Sequence, residues 1–152
     1  MLRRRRVLLM QIEHPTDRDA AAVEALLASA GLPLEGAREA LGRGVVGRVG
    51  GRVVAAAGVE RYGDAGLLRS VVVDASARGA GLGREIVAAA EARARTEGIS
   101  ELFLLTETAA AWFPRLGYEV VERSAAAARV GASVEFTTVC RDTGVPMRKR
   151  LR

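Results

Sequence analysis

The chain has 152 residues, 49% of them hydrophobic and 27% charged, with a formal net charge of +5. That length suits one compact domain, and the mix excludes general disorder. One cysteine (Cys140), one histidine (His14) and no apolar run of about eighteen residues exclude a disulfide framework, a cysteine-based zinc site and a helical membrane span.

The positive charge is terminal. Arg3, Arg4, Arg5 and Arg6 form one cluster, and Arg148, Lys149, Arg150 and Arg152 another. The fifteen arginines between them are outnumbered by eighteen acidic residues, so the body is net −3. No basic stripe interleaved with aromatics is present, so nucleic acid is not an expected partner. Val7–Met10, after basic Met1–Arg6, is too short for a secretory apolar core of roughly 7–15 residues. Residues 1–9 read as a flexible extension and 10–152 as one cytoplasmic domain, a monomer or homodimer without a membrane partner.

In chain order, Val7–Glu13 is a short strand ended by His14-Pro15. Thr16 is placed to cap a helix, with Asp19 as its acidic partner. Ala20–Ala30 carries Val23, Leu26, Leu27 and Ala30 at helical spacing, and Gly31 stops it. Pro33–Leu41 is a loop or short helix. Gly44–Val49 and Arg52–Val59, joined by Gly50-Gly51, read as a hairpin. Arg61–Gly66 turns into a fourth strand, Leu67–Val73. Leu82–Thr96 is a helix with an Ile86, Val87, Ala90 and Ala94 stripe, ended by Gly98. Leu102–Leu105 is a buried strand, and Ala109–Leu116 a helix shortened or kinked by Pro114. Tyr118–Glu122 is a strand, Ala125–Arg129 is helix-prone, Val134–Cys140 is ambiguous between strand and helix, and Val145–Leu151 is a last strand. This order predicts an α+β (mixed α/β) fold: a mostly antiparallel sheet of about seven strands flanked by helices.

Between the fourth strand and the long helix lies Arg78-Gly79-Ala80-Gly81-Leu82-Gly83. Glycines at such a junction let a phosphate approach the backbone, where the first-turn N–H groups and helix dipole favour an anion. A Walker loop is excluded because Arg84-Glu85 follows the last glycine. A dinucleotide fingerprint is excluded by the glycine spacing and by the loop's place after the fourth strand. The competing reading is a plain tight turn.

The loop resembles the Q/R-x-x-G-x-G/A signature of the GNAT superfamily of N-acetyltransferases. Ala111-Trp112-Phe113-Pro114-Arg115-Leu116-Gly117-Tyr118 is similar to that family's A-x-x-Y-x-x-x-G-F segment. Tyr62-Gly63-Asp64, Leu67-Leu68-Arg69-Ser70, Leu104-Leu105-Thr106 and Glu135-Phe136 further resemble the N-acetyltransferases of arsenic-resistance operons. The resemblance implies direct transfer of an acetyl group from acetyl-CoA to a small-molecule amine, amino-acid-like or toxic, through a ternary complex without a metal. Alternatives are a protein or peptide N-acetyltransferase and a non-catalytic acyl-CoA-binding regulator.

By this resemblance the fourth and fifth strands splay. The pantetheine arm then lies along Val71, Val72 and Val73, and the pyrophosphate on Arg78, Gly79, Ala80, Gly81, Leu82, Gly83 and Arg84. Unpaired backbone groups are expected at Val71 and Val73, with the Val71 N–H facing the developing oxyanion. Thr106 and Thr108 stand near the pantetheine. Phe113 occupies the place of the family's tyrosine acid and has no proton to give; water, Tyr62, Ser70 or Thr106 could serve instead. Glu60 is the first choice of base and Glu107 the second. Arg69, amid aliphatics, needs an anionic partner, either Glu60 as a structural pair or a substrate carboxylate. Tyr62, Glu107, Glu135 and Phe136 are candidate acceptor-lining residues. His14 and Cys140 read as structural, and Trp112 more as core than as ligand platform.

Overall fold

A computed structural model describes residues 9–139 and 143–151. The expectations for residues 1–8 and for Cys140 lie outside the described residues. The strands are β1 (Gln11–Glu13), β2 (Val45–Val49), β3 (Arg52–Tyr62), β4 (Ala65–Val73), β5 (Glu101–Thr106), β6 (Glu119–Val120) and β7 (Val145–Arg150). The helices are α1 (Asp19–Ser29), α2 (Ala37–Leu41), α3 (Leu82–Thr96) and α4 (Arg123–Val130). One seven-stranded sheet has the order β1-β2-β3-β4-β5-β7-β6, as the mixed, mostly antiparallel expectation required.

Helices cover both faces. The buried stripe Leu82, Ile86, Val87, Ala90 and Ala94 repeats at helical period, so α3 lies on one face against Val45, Ala55, Ala57, Val59 and Leu68. On the other face, Ala20, Val23 and Leu27 of α1 and Ala37 and Leu41 of α2 pack on Val46, Ala56 and Val72. Further along that face, Ala126 and Val130 of α4 close over Ala65, Leu67 and Phe103.

Some expectations change in detail. At the start of α1 the Thr16 hydroxyl does not cap an amide. Instead the Thr16 N–H donates to Asp19 Oδ2 at 2.8 Å and the Asp19 N–H to the Thr16 carbonyl at 2.9 Å. Pro114 reduces the helix expected over 109–116 to a 3₁₀ turn, Phe113–Leu116, because its ring and missing N–H disfavour a longer α-helix. The ambiguous segment after α4 is a π-helical stretch, Glu135–Val139.

Two departures from a regular sheet create the site. The parallel pair β4–β5 is in register only at Ala65–Glu101, Gly66–Leu102 and Leu67–Phe103, and the strands diverge beyond Leu67 and Phe103. In the β3–β4 ladder, Ala56 faces Val72 and Gly58 faces Arg69, so Ala57 alone is opposed by both Ser70 and Val71. Ser70 accordingly has φ +57°, the only left-handed non-glycine among the described residues. One inserted residue reverses strand alternation. Arg69 and Val72 therefore share the α1–α2 face, while Val71 and Val73 pack with the α3-side core.

Candidate active site

The divergence of β4 and β5 opens a cleft of about 920 Å³, floored by Leu68–Val73 and Leu104–Ala109. Its two halves are built differently.

The first half is mostly backbone. The Asp74 N–H donates to the Val54 carbonyl of β3 at 2.7 Å. Strand alternation then turns the backbone groups of Val72 toward β3 and those of Val71 and Val73 toward the open side. The Val73 carbonyl is not unpaired as expected, because Arg78 Nε donates to it at 3.2 Å. This bond folds the arginine back over the strand and fixes the loop's exit. Gly79 (φ +87°) and Gly81 (φ +76°) take left-handed conformations that a side chain strains, and a Cβ at either would meet nothing within 4 Å. The chain is therefore turned without its own atoms filling the space in front of α3. The first intrahelical bond runs from the Glu85 N–H to the Gly81 carbonyl, which leaves the Leu82, Gly83 and Arg84 amides as outward-facing first-turn donors. Gly83 lets Trp112 close in, since a Cβ there would lie 3.2 Å from the indole. Arg78, Arg84 and Arg115 add positive charge to this end, with Arg84 Nη2 held on the Arg115 carbonyl at 3.3 Å.

These features fit an anionic, extended co-substrate such as acetyl-CoA. Its pyrophosphate would lie on the Gly79–Arg84 amides and its amide-bearing arm along β4. Ala80 is exposed beside the loop and does not border the cleft. The Thr106 hydroxyl accepts from the Ala109 N–H at 2.9 Å and so shapes the turn after β5, with exposed Thr108 beside it on the cleft wall. Phe113 is buried, edge-on to Trp112 at 4.9 Å and to Tyr118 at 5.6 Å, and closes the side of the cleft. Trp112 combines both of its expected roles, half-buried against the core and bordering the cleft. Tyr118, the nearest phenol in sequence, donates to Glu91 Oε2 at 2.8 Å on the α3 side; burial, then that carboxylate, push its pKa far up.

The second half is made of side chains. The Arg69 side chain is fully buried, and its donors are engaged on several sides. Nη1 donates to Glu60 Oε2 at 2.8 Å and Nη2 to the Glu35 carbonyl at 2.5 Å. Nε lies 3.4 Å from both Ser70 Oγ and Glu135 Oε2. Glu60 also accepts from the Tyr62 hydroxyl. Burial, then the bond to Glu60, push the Tyr62 hydroxyl up to about 12. Glu135 is buried, and its other oxygen, Oε1, has no hydrogen-bond partner. Burial raises its carboxyl to about 7; Arg69 opposes the shift, while Glu60 and Glu107 add to it.

Arg69, Ser70, Glu107 and Glu135 border the cleft, but Glu60, Tyr62 and Phe136 do not. Glu60 and Tyr62 stand behind Arg69. Phe136 is buried against the α4 cluster, with the Arg123 guanidinium 5.8 Å from its ring centroid. Exposed Glu107 accepts from the Thr143 hydroxyl at 2.5 Å. His14 is exposed, away from all of this. Two features escaped the sequence reading. The Ser70 bulge is hidden in a run of strand-forming residues. The burial of Glu135 depends on the packing of a segment with no periodic signal.

Residues 41–120 match the family model for the Acetyltransferase (GNAT) domain. The chain belongs to the GNAT acetyltransferase family. The N-acetylglutamate synthase of Neisseria gonorrhoeae, solved with coenzyme A and N-acetyl-glutamate, shares the fold at a TM-score of 0.80 and 20% identity. That match covers 95% of this chain but 35% of the synthase chain. The ribosomal-protein-S18-alanine N-acetyltransferase of Escherichia coli aligns at a TM-score of 0.69 and 14% identity over 94% of each chain. In sequence, the chain is 44% identical over 66 residues to an amino-acid acetyltransferase of Ectopseudomonas mendocina. Those residues are 42% of this chain and only 15% of that relative, so this chain corresponds to a small part of it. Among the described residues no group of three or more His, Cys, Asp or Glu side chains is placed to hold a metal ion, and no helix is long and apolar enough to cross a membrane.

Proposed function

We propose that the protein is an acetyl-CoA-dependent N-acetyltransferase acting on a primary amine of a small, amino-acid-like molecule. The observation that carries this reading is the divergence of β4 from β5 directly in front of the Gly79–Arg84 turn. It offers backbone hydrogen bonds and an anion site in one continuous cleft. When bound, acetyl-CoA supplies an electrophilic thioester carbonyl and a thiolate leaving group. The Val71 N–H, turned outward by the bulge at Ser70, is the donor for the oxygen that gains charge; a pre-oriented amide does this without reorganisation. Phe113 packs rather than donates. A thiol with a pKa near ~8.5 is a fair leaving group without an enzymic acid.

Arg69 is better read as the tie between β4, Glu60, the Glu35 carbonyl and Glu135 than as an anchor for a substrate anion, because these partners already engage its donors. The amino-acid names of two relatives support a small amine acceptor. The likeness to arsenic-operon enzymes rests on short strings alone and adds only an amino-acid-like toxin to the acceptors worth assaying.

Thiol release from acetyl-CoA, measured with a panel of amino acids, simple alkylamines and basic peptides, tests the proposal. Release that depends on a small amine and matches the acetylated product is the expected result. Turnover on peptides alone would move the acceptor to proteins. Tight CoA binding without turnover on any amine would make the protein a regulator.

A further inference from the structure

The acceptor half of the cleft carries more negative than positive charge. Glu107 and Glu135 border it with one guanidinium, Arg69, whose charge is already shared with Glu60 behind it. Such a site favours an acceptor that arrives as a cation, and an alkylammonium must lose a proton before it can attack. Glu60, the base expected from sequence, is poorly placed for that task. Its oxygens are taken by Arg69 and Tyr62, and it does not border the cleft. Glu107 borders the cleft but is exposed and holds the Thr143 hydroxyl.

Glu135 differs from both. It borders the cleft, is buried, and is held through Oε2 by Arg69 Nε, the nitrogen that also faces Ser70 Oγ. Ser70 immediately precedes Val71. One guanidinium thus links the carboxylate to the residue before the expected oxyanion donor. Its second oxygen, Oε1, is left without a partner, and an unsatisfied buried carboxylate oxygen is costly unless a donor reaches it.

We infer that Glu135 is the catalytic base: Oε1 receives the acceptor's ammonium group and removes its proton. This rests on the acetyltransferase reading above. In the first step an N–H bond breaks and the Glu135 O–H bond forms, leaving a neutral amine with a free lone pair. In the transfer, the C–N bond forms as the C–S bond breaks. The second amine proton goes to the departing thiolate, and the proton on Glu135 returns to solvent. The net products are the acetamide, free thiol and one proton.

The groups facing Glu135 are Arg69 from β4, Glu60 from β3 with Tyr62 behind it, and Glu107 from the turn after β5. Its carboxyl, raised to about 7, is matched to proton removal near neutrality.

The test takes the fastest small amine of the panel and measures kcat/KM against pH for wild type, Glu135→Gln and Glu135→Asp, with acetyl-CoA affinity measured in parallel. The wild-type profile is expected to rise through an apparent pKa near 7. Glu135→Gln should lose about 10²–10⁴-fold in kcat/KM and lose that limb. Its acetyl-CoA affinity should stay within about twofold of wild type, because the cofactor half of the cleft is untouched, and Glu135→Asp should recover part of the rate and the limb. Activity of Glu135→Gln within about threefold of wild type, or an unchanged limb, would overturn the assignment. A second readout needs no turnover. n-Butylammonium chloride added to the CoA-loaded protein should lower the Glu135 carboxyl titration seen by carbon NMR, since a neighbouring cation favours the ionised form. No displacement would remove the ammonium site even where CoA binds. Displacement without turnover on any amine would keep the site and defeat the acetyltransferase reading alone.

Discussion

The two halves of the cleft handle polar groups in opposite ways. The half proposed for the cofactor presents backbone: the Val71 amide, two left-handed glycines and the first turn of α3. Its geometry is set locally, by a strand, a turn and a helix that follow one another in the chain. The acceptor half presents side chains from β4 and the segment after α4, and its one buried arginine ties them to Glu60 of β3 and to the Glu35 carbonyl before α2. A backbone site tolerates side-chain change wherever φ is respected. A site of coupled buried charges depends on the one cation its carboxylates share.

The largest effect follows from that coupling. Arg69→Ala leaves Glu60 and Glu135 buried without their cation. It should cost about 3–5 kcal/mol, a melting temperature lower by roughly 10 °C, read by calorimetry. A loss under about 1 kcal/mol would mean that the arginine does not tie the elements together.

The pH dependence of stability should separate the halves next. The folded-state pKa of Glu135 lies above its unfolded value, so the folded protein binds more protons between about 4.5 and 7. Stability from this group is therefore highest below pH 4.5 and falls as pH rises through 7. Glu135→Gln should remove that fall, raising the stability relative to wild type by ~3 kcal/mol at pH 8 and little at pH 4.5. Equal melting temperatures of the two proteins at pH 8 would contradict this. Asp19 has the opposite sign. Burial raises its pKa, but the Thr16 amide and Arg48 outweigh burial and hold it below the usual carboxylate range. Its contribution is present above the unfolded pKa and lost as pH falls through the folded one, well away from the cleft.

A smaller effect sharpens the backbone half. Ser70→Val puts a β-branched side chain into a left-handed position and should straighten the bulge. The Val71 amide would then turn away from the cleft. Acetyl-CoA affinity should weaken about tenfold, or ~1.4 kcal/mol, by titration calorimetry. Unchanged affinity would mean that the bulge does not aim the amide. The smallest effect is at Phe113. Phe113→Leu keeps an apolar wall and should change kcat by less than about threefold; a loss of about 100-fold would make the ring more than packing.

The cofactor half was largely legible in the sequence because its signal is contiguous: arginine, three glycines and an amphipathic helix within nineteen residues, Arg78–Thr96. The sheet was legible for the same reason, strand by strand, down to seven strands. The acceptor half was legible only as a set of names. Arg69 needed an anion, and Glu60 followed from the hairpin register. That Glu135 shares the same guanidinium depends on how α4 closes over β4 and β5, which no local pattern encodes. The Ser70 bulge was hidden because Leu67–Val73 reads as an unbroken strand, and a single left-handed serine leaves no compositional trace. The helix expected around Phe113 differs only in degree, with Pro114 limiting it to one 3₁₀ turn.

The division of labour is tested most directly by titrating acetyl-CoA into folded Gly81→Glu and Glu135→Gln side by side with wild type. Gly81→Glu puts a carboxylate and a strained φ of +76° into the anion site and should weaken binding at least about 100-fold. Glu135→Gln should bind within about twofold of wild type. Comparable losses in the two variants, or wild-type affinity in Gly81→Glu, would show that the cleft is not divided into a backbone half for the cofactor and a side-chain half for the amine.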